Sequence, residues 1–385
     1  MNTKYKIAID GLFGTPLAYI INLCARLLGH ILRIDHSLDL PFKTIVVCKY
    51  AGLGSIIQAT PLIQTLRKKY PHSKIIFVTM QSNAALVKHI PEINETYVIS
   101  DKNLWTVLKS SIRLIRKMWR NRPGLYIDLE FYSNYSGIIT TLCTSTNRFG
   151  FYNKDKGYRK GIYNYLVPFN IENPIAETYL QFARVLKCEE IITDLKIEVD
   201  TAAHKPAIDK KLGSLSATNY MVINPNASDL RLERRWPREF YVETIIYLLK
   251  KFPQLKIILI GNKFESAYVQ EIESTIPSHP NLINSSGKLS LPELIVLIAG
   301  AKLMLTNDTG PMHIAFALNV KTISLFGPVS AQQYGKISNG ITFYKKVHCS
   351  PCVHLHLIPP CKGDNICMKN IRPDEVKEAL LKSLQ

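Results

Sequence analysis

Acidic residues are scarce in this chain of 385 residues. It contains 30 Asp and Glu against 48 Lys and Arg, which gives a formal net charge of +18. Such an excess of positive charge favours an anionic partner: nucleic acid, an acidic membrane face or a phosphorylated substrate. The sequence has no RRM, zinc-finger or basic-zipper pattern, which disfavours nucleic acid. We therefore expect no nucleic acid among the partners.

Apolar runs long enough to span a bilayer without charge are also lacking. The nearest candidate lies within residues 1–40, where apolar residues recur at helical spacing but Arg26 and Arg33 interrupt the run. No small-residue cleavage site of the secretory kind accompanies it. Residues 1–40 therefore predict an amphipathic helical segment whose cationic side suits an anionic membrane surface. A helix packed on its own domain would show the same periodicity.

The eight cysteines do not form the pattern of a disulfide framework, which fits a reducing cytoplasm. Four of them crowd into one C-terminal loop, with spacings C-x2-C and C-x5-C: Cys349, Cys352, Cys361 and Cys367. The first spacing is common in structural zinc sites, whereas the second is loose. The alternatives are structural zinc, an iron–sulfur cluster, or a metal-free loop that is redox-inert or able to form disulfides.

Length and periodicity indicate an α/β protein with two domains. Strand-like apolar runs alternate with helical segments twice along the chain, which is typical of doubly wound parallel sheets. A polar stretch near Asp200–Ser216 is the best linker candidate. We expect the helical segment over 1–40, one Rossmann-like domain over 41–200 and another over 201–385, facing each other across a cleft. The Tyr-rich stretch Phe149–Asn170 is interpreted as an irregular surface segment.

A glycine turn follows the first strand. Gly52 and Gly54 separate the strand Ile45–Cys48 from a helical pattern. Such a turn presents backbone N–H groups and a helix N-terminus to an anion or a polar ligand. Ser55 stands at the mouth of the helix, where a carboxylate could serve as a base. A neutral serine cannot take a proton at pH 7 without a partner.

A second turn, in "LTNDTGPMH", links a strand to a helix in the second half. We expect Asp308 or Thr309 to cap that helix, with Pro311 in its first turn. Exposed N–H groups around Gly310 would then form an anion site, with His313 one step along the helix. The alternative is a capped structural helix without a ligand.

Basic residues follow the first strand of the same half. Ser228, Arg231, Arg234 and Arg235 lie in one loop, and loops at strand carboxyl ends converge on one crevice in a doubly wound sheet. Arginine binds phosphate bidentately and stays charged, so the loop suits a diphosphate. Gly261, in a third loop, permits close approach of a ligand.

These motifs together resemble glycosyltransferase family 9, the heptosyltransferases of bacterial lipopolysaccharide assembly. The matching strings are "GLGSIIQATPLIQTLRKKYP", "RLERRWPREF", "NLINSSGKLSLPELIVLIAGAKLMLTNDTGPMHIAFAL" and "TISLFGP", and the resemblance runs from about Lys43 to Val376. It implies the GT-B architecture, in which the C-terminal domain binds a nucleotide-sugar donor. It also implies inverting transfer that requires no metal ion or other cofactor.

The resemblance assigns roles to the second-half residues. Asp308, Thr309 and Gly310 match the turn that holds the donor diphosphate, and His313 lies beside it. Arg234 stands where the family usually has a lysine that contacts donor phosphate, so the charge is kept. The ribose and base contacts of the family correspond to the region from Gly261 to Glu265 and to Ser285–Leu291.

The general base is the main departure from the family. The family's first loop usually reads Gly-Asp where this chain has Gly54-Ser55, and that aspartate is taken to be the base. The string "YIDLEFY" offers a substitute, because Asp128 and Glu130 lie two apart at the end of a strand and share one face while the chain is extended. Buried carboxylates are costly without a task or a partner. Glu130 is the preferred base and Asp128 the second, with Ser55 as a hydrogen-bond donor; simple pairing of either carboxylate with a nearby Arg or Lys is the alternative.

A basic helix is predicted over Leu104–Trp119. Its Arg113 and Arg116 cluster beside Trp119, which is more often a solvated helix face than a site. In an enzyme that acts on phosphorylated lipid headgroups, the same composition suits membrane or acceptor binding. The predicted acceptor-binding residues are therefore Gly52, Gly54, Arg113 and Arg116.

The function implied is transfer of a heptose or similar sugar to a lipopolysaccharide core or another lipid-linked glycan. The donor would be an ADP-heptose-like, UDP- or GDP-sugar. We expect a cytoplasmic enzyme bound peripherally to the inner face of the cytoplasmic membrane. Two alternatives are kept: a non-catalytic or impaired nucleotide-sugar or glycan-binding protein, suggested by Ser55, and a GT-B-like UDP-sugar epimerase.

Overall fold

The computed structural model describes residues 5, 8–39, 41–213, 215, 220–227, 231–335, 339–353 and 359–385. The chain divides into two compact units. Unit 1 comprises Met1–Ile171 and Ile175–Asp194, and unit 2 comprises Glu172–Pro174 and Leu195–Gln385. Each unit contains one six-stranded parallel sheet. The predicted α/β class with two doubly wound parallel sheets is therefore confirmed.

The sheet of unit 1 has the strand order β3-β2-β1-β4-β5-β6. Its central strands are continuous apolar runs, because helices cover both faces of a parallel sheet; all five residues of the first strand are buried. The strands are β1 Thr44–Cys48, β2 Lys74–Met80, β3 Glu95–Ile99, β4 Leu125–Asp128, β5 Asn147–Tyr152 and β6 Tyr165–Pro168.

The helices of unit 1 form two layers. They are α1 Asp10–Leu32, α2 Leu53–Ile57, α3 Thr60–Lys69, α4 Ala84–Val87, α5 Leu104–Asn121, α6 Asn134–Leu142, α7 Arg159–Ile162 and α8 Ile175–Val185. Helix α3 packs on α8, whereas α1 and α5 both pack on α6. Right-handed crossovers in opposite directions from β1 place α3 and α5 on opposite faces of the sheet.

Unit 2 repeats this arrangement with the order β12-β11-β10-β7-β8-β9. Its strands are β7 Tyr220–Asn224, β8 Lys256–Leu259, β9 Leu282–Asn284, β10 Leu303–Asn307, β11 Thr322–Phe326 and β12 Gly340–Tyr344. Its helices are α9 Thr201–Leu212, α10 Arg238–Lys251, α11 Ser266–Thr275, α12 Leu291–Ala299, α13 Gly310–Ala317, α14 Ala331–Tyr334, α15 Ile366–Lys369 and α16 Pro373–Leu384.

Two predictions about connecting segments are wrong. The polar stretch proposed as a linker contains α9, which packs on α12 and whose Lys211 lies 2.7 Å from a carboxylate oxygen of Glu293. The Tyr-rich stretch proposed as irregular supplies β6, α7 and most of β5. Tyr158 and Tyr163 within it are buried. The polar and charged residues between the tyrosines suggested an exposed segment. One of them, Arg159, is in fact buried together with the tyrosines.

The first helix packs on unit 1 along one narrow side, and Ala18 is its one buried residue among those described. Ala18 is completely buried in a cluster with Ile138, Tyr158 and Ile162, which fits a helix packed on its own domain. Within the described part of the chain, α1 is the one helix with the length and apolar composition of a membrane span. Core helices and signal sequences have the same length and composition, so the expectation that its charges make it a poor span is not overturned.

Candidate active site

The candidate site of unit 1 lies where the strand order reverses. The chain proceeds from β1 outward to β3 and returns to β4 on the other side of β1. A reversal of this kind leaves a crevice at the carboxyl ends of the two central strands, where α/β proteins bind ligands. Cys48 and Asp128 are register partners at that end. The glycine turn after β1 therefore lies beside the residues that follow β4.

Glu130 holds the glycine turn. Its Oε1 accepts hydrogen bonds from the backbone N–H groups of Tyr50 and Ala51, at 2.7 and 3.1 Å. Its Oε2 lies 2.8 Å from Nζ of Lys49. Each carboxylate oxygen has two lone pairs, so Oε2 keeps one acceptor position for a further group. Glu130 is 9 % exposed, which leaves it a narrow path to solvent.

Asp128 belongs to a separate, completely buried network. Its Oδ2 accepts hydrogen bonds from the hydroxyls of Tyr163 and Thr140, at 2.5 and 3.4 Å, and its Oδ1 accepts one from the backbone N–H of Glu130 at 2.9 Å. Burial raises the pKa of Asp128, against the opposing charge of Arg159. The strand ends at Asp128, so the two carboxylates do not share an extended face. Asp128 has no exposed surface from which to reach an acceptor, which corrects its place as second candidate base.

The residues of the glycine turn itself have structural roles. Gly52 has φ of 89°, in the left-handed region that favours glycine. Gly54 lies in α2, and its carbonyl accepts the backbone N–H of Gln58 at 2.9 Å. Ser55 lies beside the phenol of Tyr179 on α8. Burial and then the charge of Glu130 raise the pKa of Tyr179, against the lowering effect of Ser55, so neither hydroxyl serves as a base at neutral pH.

Arg113 and Arg116 lie on the exposed side of α5. Among the contacts of the described residues, none joins either guanidinium to the glycine turn. Their proposed acceptor contact therefore rests on the sequence pattern.

The candidate site of unit 2 occupies the equivalent reversal, between β7 and β10. Asn224 and Thr306 are register partners near its edge. Asn224 donates to the hydroxyls of Thr306 and Thr309, at 3.1 and 2.7 Å. Asn307 accepts from the backbone N–H of Trp236 at 3.2 Å. These bonds fix the Asp-Thr-Gly turn against the loop that follows β7.

Asp308 lies between a guanidinium and an imidazole. Its Oδ2 is 3.3 Å from Nη1 of Arg234, and its Oδ1 is 3.9 Å from Nε2 of His313. Burial lowers the pKa of His313 to about 4, against the raising effect of Asp308. His313 is therefore neutral at pH 7 and can offer only one ring N–H. The positive charge at this turn comes from Arg234.

Several buried polar atoms around this turn lack a hydrogen-bond partner. Among the described residues, these include Oδ2 of Asp308, Nε of Arg234 and Oδ1 of Asn226. Buried polar atoms are almost always satisfied by protein or water, so a cluster of exceptions calls for an explanation. A ligand that accepts a hydrogen bond from Arg234 would explain the unpaired Nε, but not the two oxygens, which need a hydrogen-bond donor.

The predicted capping of α13 is wrong. Thr309 occupies the N-cap position, but neither its hydroxyl nor the carboxylate of Asp308 caps the helix. The Thr309 hydroxyl accepts from Asn224 and donates to the carbonyl of Asn307 at 3.4 Å. The first N–H groups of α13, beginning with that of Gly310, are thus left without a side-chain cap, which keeps them available to an anion.

The other residues predicted to bind the nucleotide-sugar donor do not gather at one place. Arg235 stacks on the ring of Tyr268 at 3.9 Å, and Arg231 donates to the carbonyl of Val353 at 3.2 Å. Gly261 is close-packed, because a Cβ there would lie 2.9 Å from Nδ2 of Asn226. Ser228 lies outside the described residues. Of the predicted arginines, Arg234 is the one beside the turn.

The C-terminal cysteines are all free thiols. Cys352 and Cys367 pack against the loop after β11: the N–H of Cys352 donates to Pro328 at 2.9 Å, and a Cβ at Gly327 would lie 2.8 Å from Sγ of Cys367. Burial raises the pKa of Cys367 to about 11, and the charges of the other three thiols contribute. Within the described ranges, no three His, Cys, Asp or Glu side chains are placed to hold a metal ion.

Sequence reasoning missed several residues that build these sites. Lys49 was missed because a lysine directly after a buried strand usually marks the point where the strand reaches solvent. Asn224, Asn226 and Asn307 gave a signal, since each follows or ends a central strand at a reversal of strand order. Tyr179 lies more than a hundred residues from Ser55 along the chain and gave none.

Comparison with known proteins gives a consistent result. Residues 112–359 match glycosyltransferase family 9 (heptosyltransferase). Lipopolysaccharide heptosyltransferase 3 of Escherichia coli K12 is 27 % identical over 278 residues, which cover 71 % of this chain and 79 % of the relative. The family 9 glycosyl transferase of Veillonella parvula DSM 2008 has a similar fold, with a TM-score of 0.76 at 20 % identity over 91 % of this chain and 99 % of that chain. For the E. coli ADP-heptose LPS heptosyltransferase II the TM-score is 0.72, at 20 % identity over 89 % and 98 %.

Proposed function

Because this chain belongs to glycosyltransferase family 9 and is a glycosyltransferase, we propose that it transfers heptose from a nucleotide-activated donor to a lipopolysaccharide-core acceptor. The reaction proposed is inverting and requires no metal ion. The relatives named as lipopolysaccharide heptosyltransferases, one of which carries ADP-heptose in its name, support this substrate class. The acceptor is lipid-linked, so the enzyme acts in the cytoplasm, bound peripherally to the inner face of the cytoplasmic membrane.

The proposed nucleotide-sugar site rests on two observations: the unpaired Nε of Arg234 and the uncapped N-terminus of α13. A diphosphate beside the N-terminus of α13 would accept hydrogen bonds from the guanidinium of Arg234 and from the first backbone N–H groups of the helix, near Gly310. Neutral His313 would add a single N–H. A donor of this kind satisfies Nε of Arg234, which is buried without a partner among the described residues.

Glu130 is the proposed general base. The acceptor hydroxyl would bind at the free lone pair of Oε2 and transfer its proton as it attacks the anomeric carbon. The sugar–phosphate bond breaks, and the nucleoside diphosphate leaves with the electron pair of that bond. Lys49, 2.8 Å from the same oxygen, holds the carboxylate in place and must tolerate its protonation. Gly52 and Gly54 keep their proposed acceptor role, because Glu130 orders the turn that contains them.

The proposal is tested by incubating the full chain with ADP-heptose and lipopolysaccharide truncated in its inner core. We expect release of ADP that depends on the acceptor, and a glycolipid whose mass increases by one heptose. The configuration of the new bond, read by NMR, tests inversion, and activity in EDTA tests metal independence. Parallel assays with UDP- and GDP-sugars identify the nucleotide of the sugar donor.

The same assay separates the alternatives. Donor conversion to an isomeric sugar without acceptor would replace the proposal with an epimerase. Binding of ADP-heptose without turnover would indicate the non-catalytic protein that the serine at position 55 suggests.

A structural zinc ion at the C-terminal cysteines is a second, independent proposal. It rests on the C-x2-C spacing of Cys349 and Cys352 in the sequence. Zinc binding would require the loop to rearrange, because no three His, Cys, Asp or Glu side chains in the described ranges are placed to hold a metal ion. We expect about one zinc per chain by elemental analysis, lost in Cys349→Ser and kept in Cys24→Ser, whose exposed thiol lies on α1. Iron with a visible absorption band would instead indicate a cluster, and metal-free protein purified without chelators would contradict the proposal.

A further inference from the structure

We propose that α1 and α5 together form one docking surface for an anionic lipid bilayer, in which α1 supplies the apolar contact and α5 the positive charge and the tryptophans. The proposed function enters only in the choice of the inner leaflet as the natural membrane. The surface itself is argued from unit 1 alone.

The outer side of α1 is apolar and unusually exposed. Its inner side buries Ala18, and Tyr19 meets Tyr158 edge-to-face at 5.2 Å. On the outer side, six large apolar side chains are 55–72 % exposed: Phe13, Ile20, Leu23, Leu27, Leu28 and Ile31. A contiguous apolar strip of this size on a protein surface marks an interaction site.

Helix α5 has the composition of an interfacial helix. It buries Leu114 and Met118, while Trp105 near its start is 71 % exposed and Trp119 near its end is 54 % exposed. Tryptophan favours the boundary between lipid and water. Four cations are exposed along the same helix: Lys109, Arg113, Arg116 and Arg120. Amphipathic helices that combine such cations with aromatic residues lie in the interface plane.

The two helices lie on the same side of unit 1, because both pack on α6. The carboxylate of Asp10 in α1 accepts the backbone N–H groups of Asn134 and Tyr135, at 2.8 and 2.6 Å. From α5, Ser111 shares a hydrogen bond with the hydroxyl of Tyr135 at 2.7 Å, and Trp119 donates to Leu142 at 2.8 Å. Helix α6 is thus held at both ends between them.

The surface continues at the amino ends of the helices. Tyr5 and the residues Lys102, Asn103, Leu104 and Trp105 line one open depression. The N-terminal end of the chain therefore reaches the start of α5. Tyr5, which precedes α1, thus adds its exposed ring to the exposed Leu104 and Trp105 at the start of α5.

Charge complementarity selects an anionic bilayer as the occupant. Residues 11–32 and 104–121 contain no Asp or Glu. A protein partner of ordinary composition would gain from mixed charges at the rim of its interface, and this surface offers only one sign. Anionic headgroups attract clustered Lys and Arg strongly, and the attraction decays within a Debye length.

The test is co-sedimentation of the full chain with vesicles of phosphatidylcholine and with vesicles that also contain about 30 mol% of the anionic lipid phosphatidylglycerol. Ile20→Ser with Leu27→Ser should lower the partition coefficient for both vesicles by an order of magnitude or more. Trp105→Ser with Leu108→Ser should lower it as well. Lys109→Gln with Arg120→Gln should lower the ratio of the partition coefficients, anionic over neutral vesicles, by about tenfold.

A matched control lies on α10 of unit 2, where Ile246, Lys250 and Lys251 are exposed. Ile246→Ser with Lys250→Gln and Lys251→Gln should leave vesicle binding unchanged. Vesicle binding requires no sugar chemistry, so its outcome is independent of the heptosyltransferase assay.

Three results would overturn the proposal. Binding that depends on α1 but not on either α5 variant would confine the surface to α1. Resistance of the bound protein to alkaline carbonate would make α1 a membrane span. Self-association that both pairs of apolar substitutions abolish, without vesicle binding, would make the surface an interface between copies of this chain.

Discussion

Lys49 and Glu130 form a buried ion pair, with 2.8 Å between Nζ and Oε2, at the carboxyl ends of adjacent strands. The other oxygen of the same carboxylate binds two backbone N–H groups of the glycine turn. Loss of either partner leaves a buried charge without compensation, which is strongly destabilising. Glu130 therefore has two roles: it orders the glycine turn and it carries the charge of the proposed base. A useful substitution must change one role without the other.

Glu130→Gln separates the shape of the turn from the charge of the base, at some cost in stability because Lys49 loses its counter-charge. The amide carbonyl can still accept the N–H groups of Tyr50 and Ala51, but it cannot take a proton. We expect donor affinity to be unchanged and turnover at saturating donor and acceptor to fall by roughly 10²–10⁴-fold, the usual contribution of positioned proton transfer. Ser55→Ala is the control and should be much milder, because a neutral serine hydroxyl cannot act as the base at pH 7 and serves at most as a hydrogen-bond donor.

Wild-type turnover in Glu130→Gln would refute the assignment of the base. An equal loss in Ser55→Ala would mean that the two residues act as a unit. Ser55→Asp, which restores the usual family residue, should partly rescue Glu130→Gln if the acceptor hydroxyl lies between the two positions.

Arg234→Ala should weaken ADP binding by about 1.5–3 kcal/mol, the value of a hydrogen bond to a charged group, or roughly 10- to 150-fold in Kd. Arg234→Lys should recover part of the affinity, since it keeps the charge but loses the bidentate geometry. Calorimetry measures both. Arg238→Ala is the matched control, because that guanidinium is exposed and pairs with Glu271 at 2.8 Å; equal affinities for the Arg234 and Arg238 variants would disprove the placement of the diphosphate.

His313 should make unit 2 less stable in acid. Its pKa is about 4 in the folded protein because of burial, against about 6.5 when unfolded. Between these values the unfolded state binds a proton that the folded state does not, so stability falls as pH decreases from 6.5 to 4. The penalty approaches about 3 kcal/mol near pH 4 and is absent above pH 7.

Urea unfolding at several pH values tests this dependence. In a Trp105→Phe, Trp119→Phe background, Trp236 is the sole tryptophan of the sequence and reports on unit 2. His313→Phe should flatten the profile between pH 6.5 and 4. An unchanged acid slope in that variant would assign the effect to other groups.

Asp10→Ala should loosen α6. The two N–H groups that Asp10 accepts belong to the first turn of that helix, and loss of such a cap costs about 1–2 kcal/mol. Hydrogen exchange of the Asn134–Leu142 backbone should accelerate accordingly. Asp155→Ala, an exposed carboxylate in the same unit, is the control. Equal protection in the two variants would show that Asp10 does not stabilise the helix.

The alternation of strands and helices was predictable because buried parallel strands are continuous apolar runs. The Asp-Thr-Gly turn was predictable because its residues are local in sequence. The roles of Thr309 and Asp128 were not, since their hydrogen-bond partners are distant in the sequence: Asn224 for the first and Tyr163 for the second. Local propensity favours Thr309 as a helix cap, but a tertiary hydrogen bond overrides that preference.

The predictions about the connecting segments were wrong for a related reason. The polar composition of Thr201–Leu212 suggested a linker, yet Lys211 finds Glu293 in a helix of the same unit. Arg159 looked like a surface residue, but its guanidinium donates to the carbonyls of Phe151 and Glu130, both at 2.8 Å. A buried cation satisfied by backbone carbonyls leaves no pattern in the sequence around it.

The contact between Asp10 and Asn134 also bears on how the chain is made. The two residues are 124 positions apart, and a ribosome adds about 5–20 residues per second. The apolar first helix therefore leaves the ribosome roughly 6–25 s before its docking site exists. During that interval it can meet lipid or a chaperone with both sides exposed, so binding to the membrane can begin while unit 1 is still being synthesised.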